Sequence, residues 1–404
     1  MKNLIFGYGV TGKSVEQFLI KNNVEYLIFD DIRENLKEVE PSKIYTEKNI
    51  DEINKVIISP GISPENLMLL NFQSKNITVE TDIDIFSSYY KGQIIGVTGT
   101  NGKTTFVNEL SKFLNANDMK TISAGNVGIS PLEILQNSYD YVILELSSYQ
   151  IHHTQNLMLD IAVILNIYPD HIDWHNSFEE YANSKIKLLT FLSKTKSERK
   201  VIGSNIFKIN SNLPAISNLG TSADIKIHRE LLIALGETVN LIGGKSLYDK
   251  FSEYVNNNKF EYPHRMEQFF KLPNRNVTFI NDSKATNYHA VAEATKLFKD
   301  DGIDGVLILH GITKETLDNK LSIDPVFSNI IIPKSMDVNI ESHEATITFI
   351  NDINELEAKL QPMITKNQVI LFSCGGSSFN DFKNYEERGN FFKNLITNMK
   401  LNDA

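Results

Sequence analysis

A single cysteine, Cys374, in 404 residues rules out an intramolecular disulfide framework and any cysteine-rich metal site. Basic residues are also short: 40 Lys and Arg against 50 Asp and Glu leave a formal charge of -10. A chain whose main partner was nucleic acid would need a basic face, so that class is set aside. No apolar run approaches the roughly 18 residues of a membrane span. The opening Met1-Lys-Asn-Leu-Ile-Phe-Gly7 has three apolar residues before its first glycine and no small-residue cleavage site, so it reads as a first strand rather than a signal peptide. Tandem repeats are absent, and the Asn256-Asn-Asn258 turn is the nearest thing to low complexity. The expectation is a cytoplasmic protein in a reducing compartment, with neither nucleic acid nor membrane as partner.

What is present is ordinary globular composition, 41% hydrophobic and 22% charged, in a chain long enough for three domains. Strand-like runs alternate with helical patterns, which predicts an α/β protein of mainly parallel sheets with flanking helices. The expected division is a Rossmann-like domain over 1–90, a central ATPase-like domain over 91–262 and a second Rossmann-like domain over 263–404. Short runs at Leu4–Phe6, Tyr26–Phe29 and Val56–Ile58 end in Gly, Asp or Ser-Pro-Gly, as expected at the carboxyl ends of buried strands, where ligands bind. Tyr141–Glu145, Ile161–Leu165, Val277–Ile280, Gly305–Leu309, Ile330–Ile332, Ala345–Phe349 and Val369–Phe372 read as further strands. Beyond Ser193 the pattern weakens, and no elements are assigned there up to Pro263.

The most informative segment is Ile94-Ile-Gly-Val-Thr-Gly-Thr-Asn-Gly-Lys-Thr-Thr105, an apolar strand running into a glycine-rich turn, a lysine and two threonines. Glycines let backbone N–H groups converge on phosphate oxygens, Lys103 supplies charge, and the Thr104 hydroxyl can ligate Mg²⁺. The helix predicted over Val107–Leu114 would present its N-terminus to the anion. The usual P-loop spacing is not met, because Val97 stands five residues before Gly102.

Gly7-Tyr-Gly-Val-Thr-Gly12 after the first strand, with Asp30 ending the second, fits a dinucleotide fingerprint. Read alone it suggests NAD and an oxidoreductase, but any diphosphate on a helix N-terminus needs the same glycines, so the nucleotide stays open, as does a plain tight turn for strand–helix packing. Glu145, ending a strand beside the phosphate loop, is either an Mg²⁺ ligand or a cap or ion-pair residue. Asn166-Ile-Tyr-Pro-Asp-His-Ile-Asp173 is a capped turn or a metal-binding loop centred on His171. Lys185, by pattern, is a solvated helix lysine. Asn281-Asp-Ser-Lys-Ala-Thr-Asn287 is a polar loop leading into a helix near Ala290, and Ser373-Cys-Gly-Gly-Ser-Ser378 is an anion nest or a turn.

Taken in order, these motifs resemble the Mur ligase family, and most closely its D-glutamate-adding members. Thr98–Thr105 looks like that family's own phosphate loop, followed in family order by Gly125-Asn-Val-Gly128, Glu145-Leu-Ser-Ser-Tyr-Gln150 and Asn166 through Asp173. The D-glutamate branch is marked by Asn281–Asn287 and by Lys383-Asn-Tyr-Glu-Glu-Arg-Gly389. The resemblance spans nearly the whole chain. It implies a monomeric enzyme that uses ATP to phosphorylate the carboxylate of UDP-N-acetylmuramoyl-L-alanine, then joins D-glutamate to the acyl phosphate, in peptidoglycan precursor synthesis.

By the same resemblance, Lys103, Glu145, His171, Lys185 and Lys284 are the implied catalytic residues. Gly99, Thr100, Asn101, Gly102, Lys103, Thr104, Thr105 and Asp282 would hold ATP. Two Mg²⁺ ions are implied, on Thr104, Glu145, His171 and Lys185, the last carrying a carbamate that turns a cation into an oxygen ligand. Val10, Thr11, Asp30, Arg33, Gly61 and Asn126 would contact the UDP substrate. Lys314, Ser378, Tyr385 and Thr286 would face D-glutamate. The chain departs from the family at Ile242-Gly-Gly-Lys-Ser-Leu-Tyr248, which lacks the Gly-x-His-Asn that helps bind adenine. It departs again at His310-Gly311, where Gly-Gly is familiar, and at Tyr385, where Phe is usual.

Overall fold

The computed structural model describes residues 1–126, 128–203, 206, 229–258, 262–298, 303–313, 320–341 and 344–399. They fall into two compact units, one running from Met1 to Asn258 apart from a short loop, the other holding that loop, Tyr168–Ile172, together with the chain beyond Lys259.

The first unit carries two parallel sheets. In the amino-terminal sheet, β1 (Lys2–Phe6), β2 (Tyr26–Phe29), β3 (Ile53–Ile58) and β4 (Thr78–Glu80) lie in the order β2-β1-β3-β4. The order reverses between β1 and β3, and a crevice at the carboxyl ends of such strands is where α/β sheets take ligands. The second sheet comprises β5 (Gln93–Thr98), β6 (Thr121–Gly125), β7 (Tyr141–Glu145), β8 (Ile161–Ile164) and β9 (Lys200–Ile202), in the order β6-β7-β5-β8-β9. β5 is therefore flanked by β7 and β8, and whatever follows those strands surrounds the phosphate loop.

Side chains alternate across each strand, and both faces are covered, which is why the strands read as unbroken apolar runs. Leu4, Phe6, Val56 and Ile58 enter one core, whereas Ile5, Ile28 and Ile57 enter another that continues into Ile94, Val142, Leu144 and Ile164 of the second sheet. That shared core joins the two sheets into one unit. The stretch left unassigned in the sequence contains a long helical span, Arg229–Asn257, broken at Gly243 and Gly244. Tyr254 and Phe251 of this span pack on Phe113, and the Tyr254 hydroxyl donates to Glu109 Oε2 at 3.0 Å.

The second unit has a mixed sheet. β10 (Glu267–Leu272), β11 (Val277–Asp282), β12 (Asp304–His310), β14 (Asn329–Pro333), β16 (Thr346–Ile350) and β17 (Gln368–Gly375) lie in the order β10-β11-β17-β12-β14-β16. Two further strands, β13 (Lys320–Ser322) and β15 (Asn339–Glu341), pair separately. β10 runs antiparallel to β11 and the rest are parallel. Val306, Ile308, Ile370 and Phe372 fill one face, and Leu307, Leu309, Val369 and Leu371 the other. The loops after β11, β17 and β12 are thereby neighbours at one end. Among the described residues no helix is long and apolar enough to cross a membrane.

Candidate active site

The phosphate loop leaves β5 at Thr98 and enters the helix Lys103–Ala116 directly, four residues earlier than the apolar pattern predicts. Gly102 caps that helix with φ 84°, a left-handed conformation that glycine adopts without strain. The turn is closed from β8: the Thr100 N–H donates to the Asn166 carbonyl at 3.0 Å, and the Asn101 N–H to Asn166 Oδ1 at 2.9 Å. Asn166 Nδ2 returns a bond to the Asn101 carbonyl at 3.1 Å. The Thr100 hydroxyl pairs with the Tyr181 hydroxyl at 2.8 Å. Lys103 Nζ donates to the carbonyls of Gly99 and Thr100 at 2.7 and 3.0 Å, so it lies folded over the loop it serves.

Lys185 is not solvated. Its side chain is 2% exposed, and Nζ donates to the Gly99 carbonyl at 3.0 Å. The pattern misleads because Lys185 shares the buried stripe of helix Phe178–Ile186 with Tyr181 and Ala182. Two ammonium groups thus converge on the Gly99 carbonyl.

Glu145, at the end of β7, is 2% exposed. Its Oε1 accepts from Asn126 Nδ2 at 3.2 Å, while its buried Oε2 has no hydrogen-bond partner. A buried carboxylate oxygen left without a donor is costly unless something else satisfies it, and a divalent cation does so. Among the described residues no group of three or more His, Cys, Asp or Glu side chains is placed to hold a metal ion by itself. Mg²⁺ at phosphates takes one or two carboxylates together with water and phosphate oxygens, so a lone Glu145, paired with Val97 where β5 runs into the phosphate loop, fits that ion. His171 belongs to the other unit's residues, adopts φ 54°, and takes a 2.9 Å bond from its own N–H to Asp170 Oδ1.

In the amino-terminal sheet the fingerprint glycines pack as the motif requires. A Cβ on Gly12 would lie 2.1 Å from the Gly7 carbonyl oxygen, so only glycine lets this helix lie against β1. Asp30 caps the same turn, accepting from the N–H groups of Tyr8 and Ile32 at 2.6 and 2.7 Å. Val10 is 88% exposed at the start of its helix, an unusual place for an apolar side chain, with Thr11 half-buried beside it and Arg33 exposed. Gly61 follows β3, and Ser59 Oγ donates to the Gly7 carbonyl at 2.8 Å, so the two loops abut at the switch point.

The second unit brings Lys284 and Tyr385 together, with Lys284 Nζ 3.7 Å from the ring centroid. Asp282 is buried, accepts from the Met266 N–H at 3.1 Å and Ser373 Oγ at 2.7 Å, and is pushed up to about 7 by burial, with Arg265 opposing. Ser378 is 4% exposed in the loop after β17, and Thr286 is half-buried in the loop after β11. Lys314 lies outside the described residues. The residue that sequence reasoning passed over is Arg388, which is 0% exposed. Its guanidinium donates to the carbonyls of His310 at 3.0 Å, Gly376 at 2.9 Å and Ser283 at 2.8 Å, tying all three neighbouring loops. The signal was available: Arg388, Phe392 and Ile396 recur every four residues, so the arginine stands on the helix's core stripe.

A phosphate loop on a parallel sheet, followed by a lysine and backed by a buried carboxylate, has the form of a nucleoside-triphosphate site. Residues 97–218 match the Mur ligase middle domain. The UDP-N-acetylmuramoylalanine–D-glutamate ligase of Thermosipho melanesiensis is 30% identical over 99% of this chain and 98% of its own length. The enzyme of the same name from Thermosipho africanus is 31% identical over 99% of both. Among solved structures, the MurF ligase of Thermotoga maritima in complex with ADP superposes with TM-score 0.58 at 14% identity, covering 98% of this chain and 95% of its own. The UDP-N-acetylmuramate–alanine ligase of that organism gives 0.55 at 14% identity, covering 98% and 99%. The chain belongs to the Mur ligase family, in the branch of the UDP-N-acetylmuramoylalanine–D-glutamate ligases, and is an ATP-dependent ligase of peptidoglycan precursor synthesis.

Proposed function

We propose that this enzyme joins D-glutamate to UDP-N-acetylmuramoyl-L-alanine by way of an acyl phosphate. A carboxylate is a poor electrophile, so the reaction first transfers the ATP γ-phosphoryl group to a carboxylate oxygen. The D-glutamate amine then attacks the acyl carbon, and the tetrahedral intermediate collapses with loss of phosphate. The observation that carries this reading is the orphaned Glu145 carboxylate beside a phosphate loop braced by Asn166 and Lys185.

In this reading Gly99 through Thr105 hold the triphosphate, with Lys103 moving from its loop carbonyls onto phosphate oxygens. Mg²⁺ would be held by Thr104 and Glu145, with a second ion served by His171 and a carbamylated Lys185, and it supplies charge neutralisation at the phosphates. Asp282 belongs with the ATP contacts. Val10, Thr11, Asp30, Arg33, Gly61 and Asn126 take the UDP substrate. Lys284 and Thr286 face the phosphate and the incoming amino acid, and Lys314, Ser378 and Tyr385 take the D-glutamate carboxylates. The working division is three domains, 1–90, 91–262 and 263–404, in a cytoplasmic monomer. Phosphate release with ATP, UDP-N-acetylmuramoyl-L-alanine and a panel of amino acids tests the reading. Strict dependence on D-glutamate supports it, and release with L-alanine, L-lysine or diaminopimelate in its place refutes it.

A further inference from the structure

The loop after β3 is held from outside its own sheet. Trp174 Nε1 donates to the Gly61 carbonyl at 3.2 Å, His153 Nε2 lies 2.8 Å from the Ile62 carbonyl, and Asn176 Nδ2 donates to Glu65 Oε1 at 2.9 Å. A carbonyl can only accept, so the His153 ring carries its proton on Nε2. Burial holds that imidazole down to about 4, which keeps it neutral. The indole is itself fixed, with the Tyr149 and His175 rings at 4.5 Å and the His152 and His153 rings at 5.3 and 5.6 Å. On its other side the loop is tied by Ser59 to the Gly7 turn.

We infer that Trp174 and His153 are positioning residues for the UDP substrate: their ring N–H groups anchor the Gly61–Ile62 carbonyls and hold the loop after β3 in its binding shape. This rests on the reading that the crevice between β1 and β3 takes the UDP moiety. An exposed glycine loop would otherwise have to be ordered by the ligand, and anchoring it beforehand lowers that cost. The device lies in the central sheet's residues yet acts on the amino-terminal sheet, so it ties the substrate's nucleotide end to the layer that bears the phosphate loop.

Calorimetric titration of the full-length protein with UDP-N-acetylmuramoyl-L-alanine, and separately with ATP, tests this. Trp174→Phe and His153→Phe, each deleting one N–H donor, are expected to weaken UDP-substrate binding by about threefold to tenfold with ATP binding unchanged. His153→Gln, which keeps a donor, should recover most of the loss, and KM for the UDP substrate should rise with little change in kcat. Wild-type affinity in both Phe variants overturns the inference while leaving the UDP assignment intact. Wild-type affinity in Asp30→Ala would instead overturn the assignment, and the inference with it. Trp174 is the only tryptophan, so its emission in the unaltered protein offers a second reading independent of folding defects. An anchor already in place predicts an emission maximum that stays put on saturation with the UDP substrate, and a marked shift would mean that the ligand, not the anchor, orders the loop.

Discussion

Each unit of this protein turns cations onto backbone carbonyls at the end of a sheet, but the two arrangements differ in what the cation is for. In the first, Lys103 and Lys185 both donate to the Gly99 carbonyl. Lys103 is only partly buried, and a flexible ammonium can exchange a loop carbonyl for a phosphate oxygen without rebuilding the fold. In the second, Arg388 is wholly buried and its planar fork is bound to carbonyls from three loops. In the proposed reading Lys103 is a reserve of charge that the triphosphate recruits, while Lys185, once carbamylated, gives up its charge to become an oxygen ligand. The arginine is consumed by the fold, and its work is to hold the loops bearing Lys284 and Ser378 in register.

The sharpest way to break this contrast is Lys103→Ala. Turnover should fall by at least about a thousandfold, with the UDP-substrate dissociation constant unchanged in calorimetry. A comparable loss of UDP binding would mean that the lysine supports structure as Arg388 does. Lys185→Ala should lower the rate by roughly a hundredfold or more, with partial recovery in millimolar formate if an oxygen ligand is what the side chain supplies. Full activity of this variant would remove Lys185 from the chemistry.

Arg388→Lys tests the other side. Lysine cannot reproduce the fork, so buried carbonyls lose donors and the second unit should be destabilised by about 3 kcal/mol in denaturant unfolding. Unchanged stability combined with lost activity would place Arg388 with the recruitable cations. The smallest effect is expected at Asp282, whose carboxyl burial pushes up to about 7 from an unfolded value near 3.9. A raised carboxyl favours the folded state at low pH, and that contribution is lost as pH climbs toward 7. Asp282→Asn should therefore gain on the wild type between pH 5 and pH 8, by about 2–3 kcal/mol, seen as a widening gap in melting temperature. A gap that stays constant with pH would show that the buried charge is compensated.

The same contrast explains what could be read from the chain beforehand. Strand β5 and its loop were legible because every group that meets phosphate is contiguous, and the strands of both main cores announced themselves as apolar runs covered on two faces. β10 was missed because it is a half-exposed antiparallel edge whose adjacent Phe269 and Phe270, at a register shift, break the alternation that marks a strand. The helical span Arg229–Asn257 was missed because two adjacent glycines interrupt it and its apolar residues follow no single face. Lys185 and Arg388 look like surface charges by type, and only their position on a buried helical stripe betrays them. The tie from Trp174 to Gly61 joins residues more than a hundred apart, which no local pattern reveals.

In the proposed reading the loop from Thr98 to Thr105 serves to activate a carboxylate rather than to pass phosphate to water or a hydroxyl. That role is tested most directly with UDP-N-acetylmuramoyl-L-alanine carrying ¹⁸O in its alanyl carboxylate, turned over with ATP and D-glutamate. Attack of that carboxylate on the γ-phosphorus and collapse of the tetrahedral intermediate must leave one labelled oxygen in each phosphate released. Phosphate free of label, with label retained in the product, would contradict the account.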